Sequence, residues 1–417
     1  MEQKIYPSKI SGTIQAPASK SVVQRVLAAG ALCNGTSILR AFTSCDDNEA
    51  AKSIVKALGA TLTENSRVLT VIGNYKGEQA NELIKLHCGE SGLSSRLFAP
   101  LSLLFSDDIE LTGEGSLLQR PFTVMEKPFQ QLGVKFTSNN GFIPLRLEGQ
   151  LKSGHIKLDG SSGSQFLTGL LMTLPVLNGD SVIEVENLQS KPYIDLTIEV
   201  LNDFGISVEN KNYERFTIKG NQQYKVCDYT IEGDWSGASC ILVAGAIGGS
   251  IEVTGLRADS QQADKAIVNV LESAGALIEQ TDKSIKVSKV NLNAFEFDAT
   301  HCPDLFPALV VLAANCNGVS EIIGVNRLIN KESNRALALQ TEMANIGIKG
   351  DVNENVMLVH GGKIKGGHTS SHNDHRIAMA MGAAGLTAQT SVNISQAESV
   401  NKSYPAFFDD LKSVMIN

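Results

Sequence analysis

The chain has 417 residues, 42% of them apolar and 19% charged, which is too long for one ordinary core and apolar enough to exclude disorder. Its 36 basic and 44 acidic residues leave a formal charge of −8, which argues against a nucleic-acid surface while leaving room for a local basic patch. The seven cysteines are scattered, odd in number and never in a C-x-x-C pattern, so a zinc site or disulfide framework is not expected and a reduced, cytoplasmic chain is.

From the N-terminus, "MEQKIYPSKI" has no apolar stretch behind its charges, which is not a signal-peptide pattern. Next, "PASKSVVQRVLAAGAL" places Ser19, Lys20, Ser21 and Arg25 at the mouth of an apolar helix. "VKALGATL" then reads as the end of an amphipathic helix at a turn glycine, Gly59, followed by a strand. The same two signals recur down the chain. Apolar helices start near Ser21, Gly92 ("ESGLSSR"), Ser164 ("SSGSQF"), Ser236 ("GDWSGAS"), Asp304 ("CPDLFP") and His375 ("NDHR"), at spacings of 71, 72, 72, 68 and 71. Amphipathic helices end at Gly59, Gly133, Gly205, Gly275 and Gly347, at spacings of 74, 72, 70 and 72. A sixth, "FFDDLKSVMIN", closes the chain without a glycine. The longest apolar segments, such as "FPALVVLAA", fall short of the ~20 residues that span a bilayer and read as buried helices.

This is a sixfold repeat of about 70 residues, roughly βαβαββ, with an inner apolar helix and an outer amphipathic one. The expected fold is α/β, with three repeats packed around a pseudo-threefold axis in each of two domains. Inner helices that run parallel would aim their N-termini, with their free N–H groups and partial positive charge, the same way.

A single polar residue before an apolar helix is normally a cap. Six in register, several of them unsuited to capping, point to a ligand. The cations in this phase are Lys20, Arg25, Arg96, Arg120, Lys191, Lys331, Arg335, Arg376 and Lys402. Forked arginine donors suit carboxylate and phosphate, and Ser164, Gln165 and Ser190 would complete a phosphate or sugar site. The expected partners are small hydroxylated polyanions, with no nucleic acid and no membrane. Asp304 and Glu332 are also in phase. Alone each reads as a cap or first-turn acid; amid these cations they are candidate proton carriers.

Nine stretches in order, "PASKSVVQR", "LTGEGSLLQRP", "LRLEG", "DGSSGSQFLTGLLMTLP", "SKPYIDLT", "EGDWSGAS", "NKESNR", "NDHRIAMA" and "NKSYPAFF", resemble the enolpyruvyl transferases, most closely the 5-enolpyruvylshikimate-3-phosphate synthase family. The resemblance implies two domains of three repeats, about residues 1–18 with 230–417 and 19–229, with the site between them. It implies transfer of the enolpyruvyl group of phosphoenolpyruvate to the 5-hydroxyl of shikimate 3-phosphate by addition and elimination, without metal or organic cofactor, in a monomer. On that basis Asp304, Glu332 and Lys20 are catalytic. Lys20, Ser21, Arg25, Ser164, Gln165, Ser190, Tyr193, Asp304 and Lys331 would hold shikimate 3-phosphate. Lys20, Gly92, Arg120, Gln165, Arg335, Arg376 and Lys402 would hold phosphoenolpyruvate, and His375 would support Arg376 or the elimination step.

Three positions depart from the family pattern. Glu90, Ser91, Gly92 and Leu93 replace Asn-Ala-Gly-Thr, which puts an unexpected carboxylate beside the phosphoenolpyruvate pocket. Gly163 replaces a serine, and Asn334 an aspartate. Two rival readings follow. A UDP-N-acetylglucosamine enolpyruvyl transferase would carry a reactive cysteine before its "RP" motif, and "GEGSLLQRPF" has none. A relative that binds without turnover is suggested only by Glu90 and Gly163.

Overall fold

The computed structural model describes residues 1–77 and 79–416. Twelve helices alternate with strands along the described chain: α1 (Lys20–Leu32), α2 (Asp46–Ala57), α3 (Gly92–Ser102), α4 (Glu126–Gln131), α5 (Gln165–Thr173), α6 (Pro192–Asp203), α7 (Trp235–Gly248), α8 (Ile267–Ser273), α9 (Phe306–Ala314), α10 (Arg335–Asn345), α11 (His375–Gly385) and α12 (Phe407–Ser413). None is long and apolar enough to cross a membrane.

The odd-numbered helices from α1 to α11, apart from α9 by a few residues, start where the polar signals place inner helices. Every residue of α3, α7, α9 and α11 is buried. A helix apolar around its whole circumference has to be enclosed on all sides. Three of the six are capped by a side chain just ahead of them: Ser91 for α3, Asp234 for α7 and Asp374 for α11. None of these caps is a residue singled out as a ligand, so capping and candidate binding separate cleanly. Asp304 lies ahead of its helix, in a 3₁₀ turn, Pro303–Leu305.

The turn glycines behave as their position requires. Gly59, Gly133, Gly205, Gly275 and Gly347 have φ between 78° and 93°, the left-handed region that stops a helix and that side chains resist. α12 runs out without one, at Val414.

The chain divides into two compact units, Lys20–Ile231 and Met1–Ser19 with Glu232–Asn417. In Lys20–Ile231 three four-stranded sheets share one plan. Ile84–His87 runs parallel to Asp108–Thr112, which pairs antiparallel with Phe142–Glu148 and so reaches Lys135–Asn139. His155–Asp159, Ser181–Glu186, Arg215–Ile218 and Glu209–Lys211 repeat this order. A parallel pair cannot be joined by a hairpin, so an inner helix makes each crossover. α3 packs against α1 and α5. In the other unit α7, α9 and α11 pack on one another, as a threefold arrangement needs.

The repeats are not all contiguous in sequence. The strand ahead of α1, Lys9–Gln15, pairs parallel to Gly249–Thr254, not to the strand that follows α1. That strand, Asn34–Arg40, takes Asp228–Thr230 as its parallel neighbour. Two repeats therefore borrow their first strand from remote sequence, at the two points where the chain passes from one unit to the other. The sixth repeat is shortened. Its sheet has three strands, Gly367–Ser370, Val392–Ser395 and the antiparallel Glu2–Ile5. The last described strand, Met415–Ile416, joins Lys9–Gln15 instead.

Candidate active site

In Lys20–Ile231 the candidates gather at the starts of α1, α3, α5 and α6. Lys20 Nζ lies 2.9 Å from Asp47 Oδ2, an acid in the first turn of α2. Arg25, one turn further along α1, is 1% exposed. Its Nε donates to Thr197 Oγ1 at 2.9 Å, Nη1 to the Ser21 carbonyl at 2.7 Å, and Nη2 to the Tyr193 carbonyl at 3.2 Å and Thr168 Oγ1 at 3.4 Å. All these acceptors are neutral. Burial pushes the Arg25 guanidinium down to about 10, outweighing the upward pull of Tyr193 and Tyr229.

Ser190 and Tyr193 flank the start of α6. Ser190 is buried and held at φ 59°, and its carbonyl accepts from Tyr193 N at 3.1 Å. Ser164 occupies the N-cap position of α5, yet its hydroxyl makes no capping bond. Gln165 follows, half-buried. Gly163 has φ 124°, so the glycine found where the family has a serine takes a backbone shape that side chains resist.

At α3, Ser91 caps the helix by accepting from Ser94 N at 3.2 Å. Arg96 donates to the carbonyls of Gly92 at 3.1 Å and Pro121 at 2.8 Å and lies 4.3 Å over the Phe122 ring. Burial, then the charge of Arg120, pushes Arg96 down to about 9. Arg120 is buried directly against Gly92: a Cβ at position 92 would stand 2.6 Å from its Cζ, so only glycine leaves room for the guanidinium. Glu90 aims at the 3₁₀ turn Gly115–Gln119 that leads into Arg120. Its Oε2 accepts from Ser116 N at 2.7 Å, and its carboxylate fills the place a Cβ on Gly115 would take. The carboxylate that looked misplaced from the sequence anchors this turn.

In the other unit the candidates form one charged node. Asp374, fully buried, caps α11 by accepting from Arg376 N at 3.0 Å. Its second oxygen accepts from Arg335 Nε at 2.8 Å and Ser333 Oγ at 3.1 Å. Arg335 Nη1 reaches Asp304 at 2.6 Å and Nη2 reaches Glu332 at 2.5 Å. Asp304 also faces Lys331 at 3.2 Å and Arg376 at 3.2 Å. Three acids thus interlock with three cations. Burial would lower Arg376 and Arg335, but the surrounding carboxylates outweigh it: Asp304, Asp264 and Asp234 raise Arg376, and Asp374, Glu332 and Asp304 raise Arg335. Lys331 goes the other way; its burial outweighs Asp304 and lowers it. Arg376 Nε is buried with no hydrogen-bond partner. Lys402 Nζ donates to the Asn373 carbonyl at 3.2 Å, and His375 Nδ1 lies 3.8 Å from Asp374.

A family model for EPSP synthase (3-phosphoshikimate 1-carboxyvinyltransferase) matches residues 5–411. The 3-phosphoshikimate 1-carboxyvinyltransferase of Clostridium botulinum (strain Alaska E43 / Type E3) is 39% identical over 419 residues, 99% of this chain and 96% of that protein. That of Clostridium kluyveri is 39% identical over 98% of this chain and 96% of its own. The chain belongs to the EPSP synthase family. Two solved structures share its α/β fold. The Acinetobacter baumannii EPSP synthase has TM-score 0.84 and 24% identity over 100% of this chain and 98% of its own. The enolpyruvyl transferase NikO of Streptomyces tendae has TM-score 0.77 and 17% identity over 99% and 96%.

Against the family pattern, one expected ligand stands differently here. Arg335 has no exposed surface, and all three of its guanidinium nitrogens are taken by Asp304, Glu332 and Asp374. In this arrangement its guanidinium bridges the three acids. Four residues that take part escaped the sequence reading: Asp47, Thr168, Thr197 and Asp374. Asp374 carried a signal, an acid immediately before an apolar helix. Asp47 carried a weaker one, in the acid-rich first turn of "CDDNEA". The two threonines carried none, since each sits inside a helix.

Proposed function

We propose that this chain transfers the carboxyvinyl group of phosphoenolpyruvate to the 5-hydroxyl of shikimate 3-phosphate and releases phosphate, in the shikimate route to aromatic amino acids. The observation that carries the reading is the node of Asp304, Glu332, Lys331, Arg335 and Arg376, which joins proton-carrying acids to anion-binding cations. It occurs in a chain whose relatives, 39% identical over nearly its whole length, bear that activity as their name.

The 5-oxygen bonds to C2 of phosphoenolpyruvate, the hydroxyl proton leaves, and C3 takes up a proton to become a methyl group. The C2–O bond to phosphate then breaks as C3 gives a proton back, restoring the double bond. Atoms balance with the two substrates alone. Asp304 takes the hydroxyl proton, and Glu332 with Lys20 handles the proton at C3. Ser21, Arg25, Ser164, Gln165, Ser190, Tyr193 and Lys331 bind shikimate 3-phosphate. Lys20, the Gly92 backbone, Arg120, Gln165, Arg376 and Lys402 bind phosphoenolpyruvate. Arg335 acts by fixing Asp304 and Glu332, and so bears on protons more than on anion affinity. Developing negative charge meets donors already in place, which is where preorganised electrostatics contribute most.

The test is inorganic phosphate release from phosphoenolpyruvate with and without shikimate 3-phosphate. Release that depends on shikimate 3-phosphate is expected. Release that needs UDP-N-acetylglucosamine instead would replace the acceptor, and none with either would leave a binding protein.

A further inference from the structure

The charge of Arg25 is handled in an unusual way. A buried arginine is normally met by a carboxylate, because an unpaired buried charge is costly. Arg25 meets two threonine hydroxyls and two carbonyls. Thr168 and Thr197 are both 0% exposed, on neighbouring helices α5 and α6, and their hydroxyl oxygens are 3.0 Å apart. Thr197 Oγ1 donates its one proton to the Tyr193 carbonyl at 2.7 Å. The proton between the two threonines is therefore that of Thr168. Donors run from Thr168 to Thr197 to the Tyr193 carbonyl, and each hydroxyl oxygen keeps a lone pair for the guanidinium. Four of the five N–H groups of Arg25 are matched: Nε, one on Nη1 and two on Nη2. One on Nη1 remains.

We propose that Thr168 and Thr197 are positioning residues for the phosphate-bearing substrate: they fix the guanidinium of Arg25 without neutralising it. A carboxylate at either place would hold the side chain as well but would cancel the charge that an anionic group of the incoming substrate has to find. Hydroxyl dipoles orient the group and leave its net charge intact. The same pair ties α1 to α5 and α6, so the guanidinium is aimed by helix ends that also carry Ser164, Ser190 and Tyr193. The inference rests on the reading that Arg25 binds shikimate 3-phosphate.

The experiment compares Thr197→Val, Thr168→Val and Thr197→Ser by steady-state kinetics and by calorimetric binding of shikimate 3-phosphate. Arginine labelled with ¹⁵N reports the Arg25 Nε–H directly. Valine keeps the shape of threonine and removes the acceptor. Thr197→Val is expected to raise KM for shikimate 3-phosphate about tenfold, the size of one lost bond to a charged group, with KM for phosphoenolpyruvate and kcat within about twofold. Its Arg25 Nε–H signal should lose protection from exchange. Thr168→Val should do the same more weakly, given its longer bond, and Thr197→Ser should stay within about threefold of wild type. If Thr197→Val fails to fold, Thr168→Val and Thr197→Ser carry the test. Wild-type protein that binds no shikimate 3-phosphate would overturn the substrate reading. Wild type that binds it while both valine variants bind it equally well would overturn this inference alone, as would equal losses for both substrates that serine does not rescue.

Discussion

In Lys20–Ile231, Arg25 and Arg96 are buried against carbonyls, hydroxyls and the face of Phe122; in the other unit, Arg335 and Arg376 are buried against Asp304, Glu332 and Asp374. The consequence shows in their protonation. Arg25 and Arg96 are pushed down by burial, whereas Arg335 and Arg376 are raised by neighbouring acids in spite of it. On the function proposed above, Arg25 keeps its net charge for an anion, while the acids around Arg335 and Arg376 carry protons. Lys20 differs from Arg25 and Arg96 in having a carboxylate, that of Asp47, 2.9 Å away.

The largest expected effect is at the acid that three cations share. Asp304→Asn should lower kcat by about 10²–10⁴-fold while both KM values stay within a few fold, measured by phosphate release. Near-normal kcat would take proton transfer away from this node.

Next comes a paired stability comparison. Arg335→Met takes the paired cation from buried Asp374 and from Glu332, and one of three from Asp304, and should cost about 3–5 kcal/mol in urea unfolding. Arg25→Met removes a buried charge that has no counter-charge, so stability should hold or rise while shikimate 3-phosphate binding is lost. Equal destabilisation by the two would break the contrast between the units.

A pH profile sharpens it further. Burial lowers Lys331 from the ordinary lysine range, so its positive charge is lost at a lower pH than usual as pH rises. The alkaline fall in kcat/KM for shikimate 3-phosphate should begin below the usual lysine range, and Lys331→Arg should move it upward. An unmoved limb would assign the titration to another group. The smallest effect is expected at Glu90. Glu90→Gln keeps an acceptor for Ser116 N and should change KM for phosphoenolpyruvate by no more than about threefold, with Glu90→Ala changing it more by loosening the turn before Arg120.

Signals of short range were legible. A glycine after an amphipathic helix announced a left-handed turn five times, and the structure has all five. A polar cluster before an apolar stretch announced each inner helix to within a few residues. What short-range signals did not carry is which strands pair across long stretches of sequence. Nothing in "KISGTIQ" states that its parallel neighbour lies some 240 residues away, because β-pairing is chosen by which edge is free once the helices have packed. The site divides the same way. The phase of Lys20, Arg25, Arg120, Arg335 and Arg376 in the repeat could be counted, but what each cation would touch could not.

Residue order alone settled the sixfold repeat, its helix starts and stops, and the set of cations and acids it carries, because turn conformation and helix burial depend on a few neighbouring residues. Tertiary packing decided which remote strands pair, that Glu90 anchors a turn, that Arg335 is enclosed by acids, and that Arg25 is met by Thr168 and Thr197. Those outcomes depend on groups brought together from separate elements, 26 residues apart for Glu90 and Ser116 and 172 for Arg25 and Thr197, and a buried charge takes its character from whichever acceptors arrive beside it.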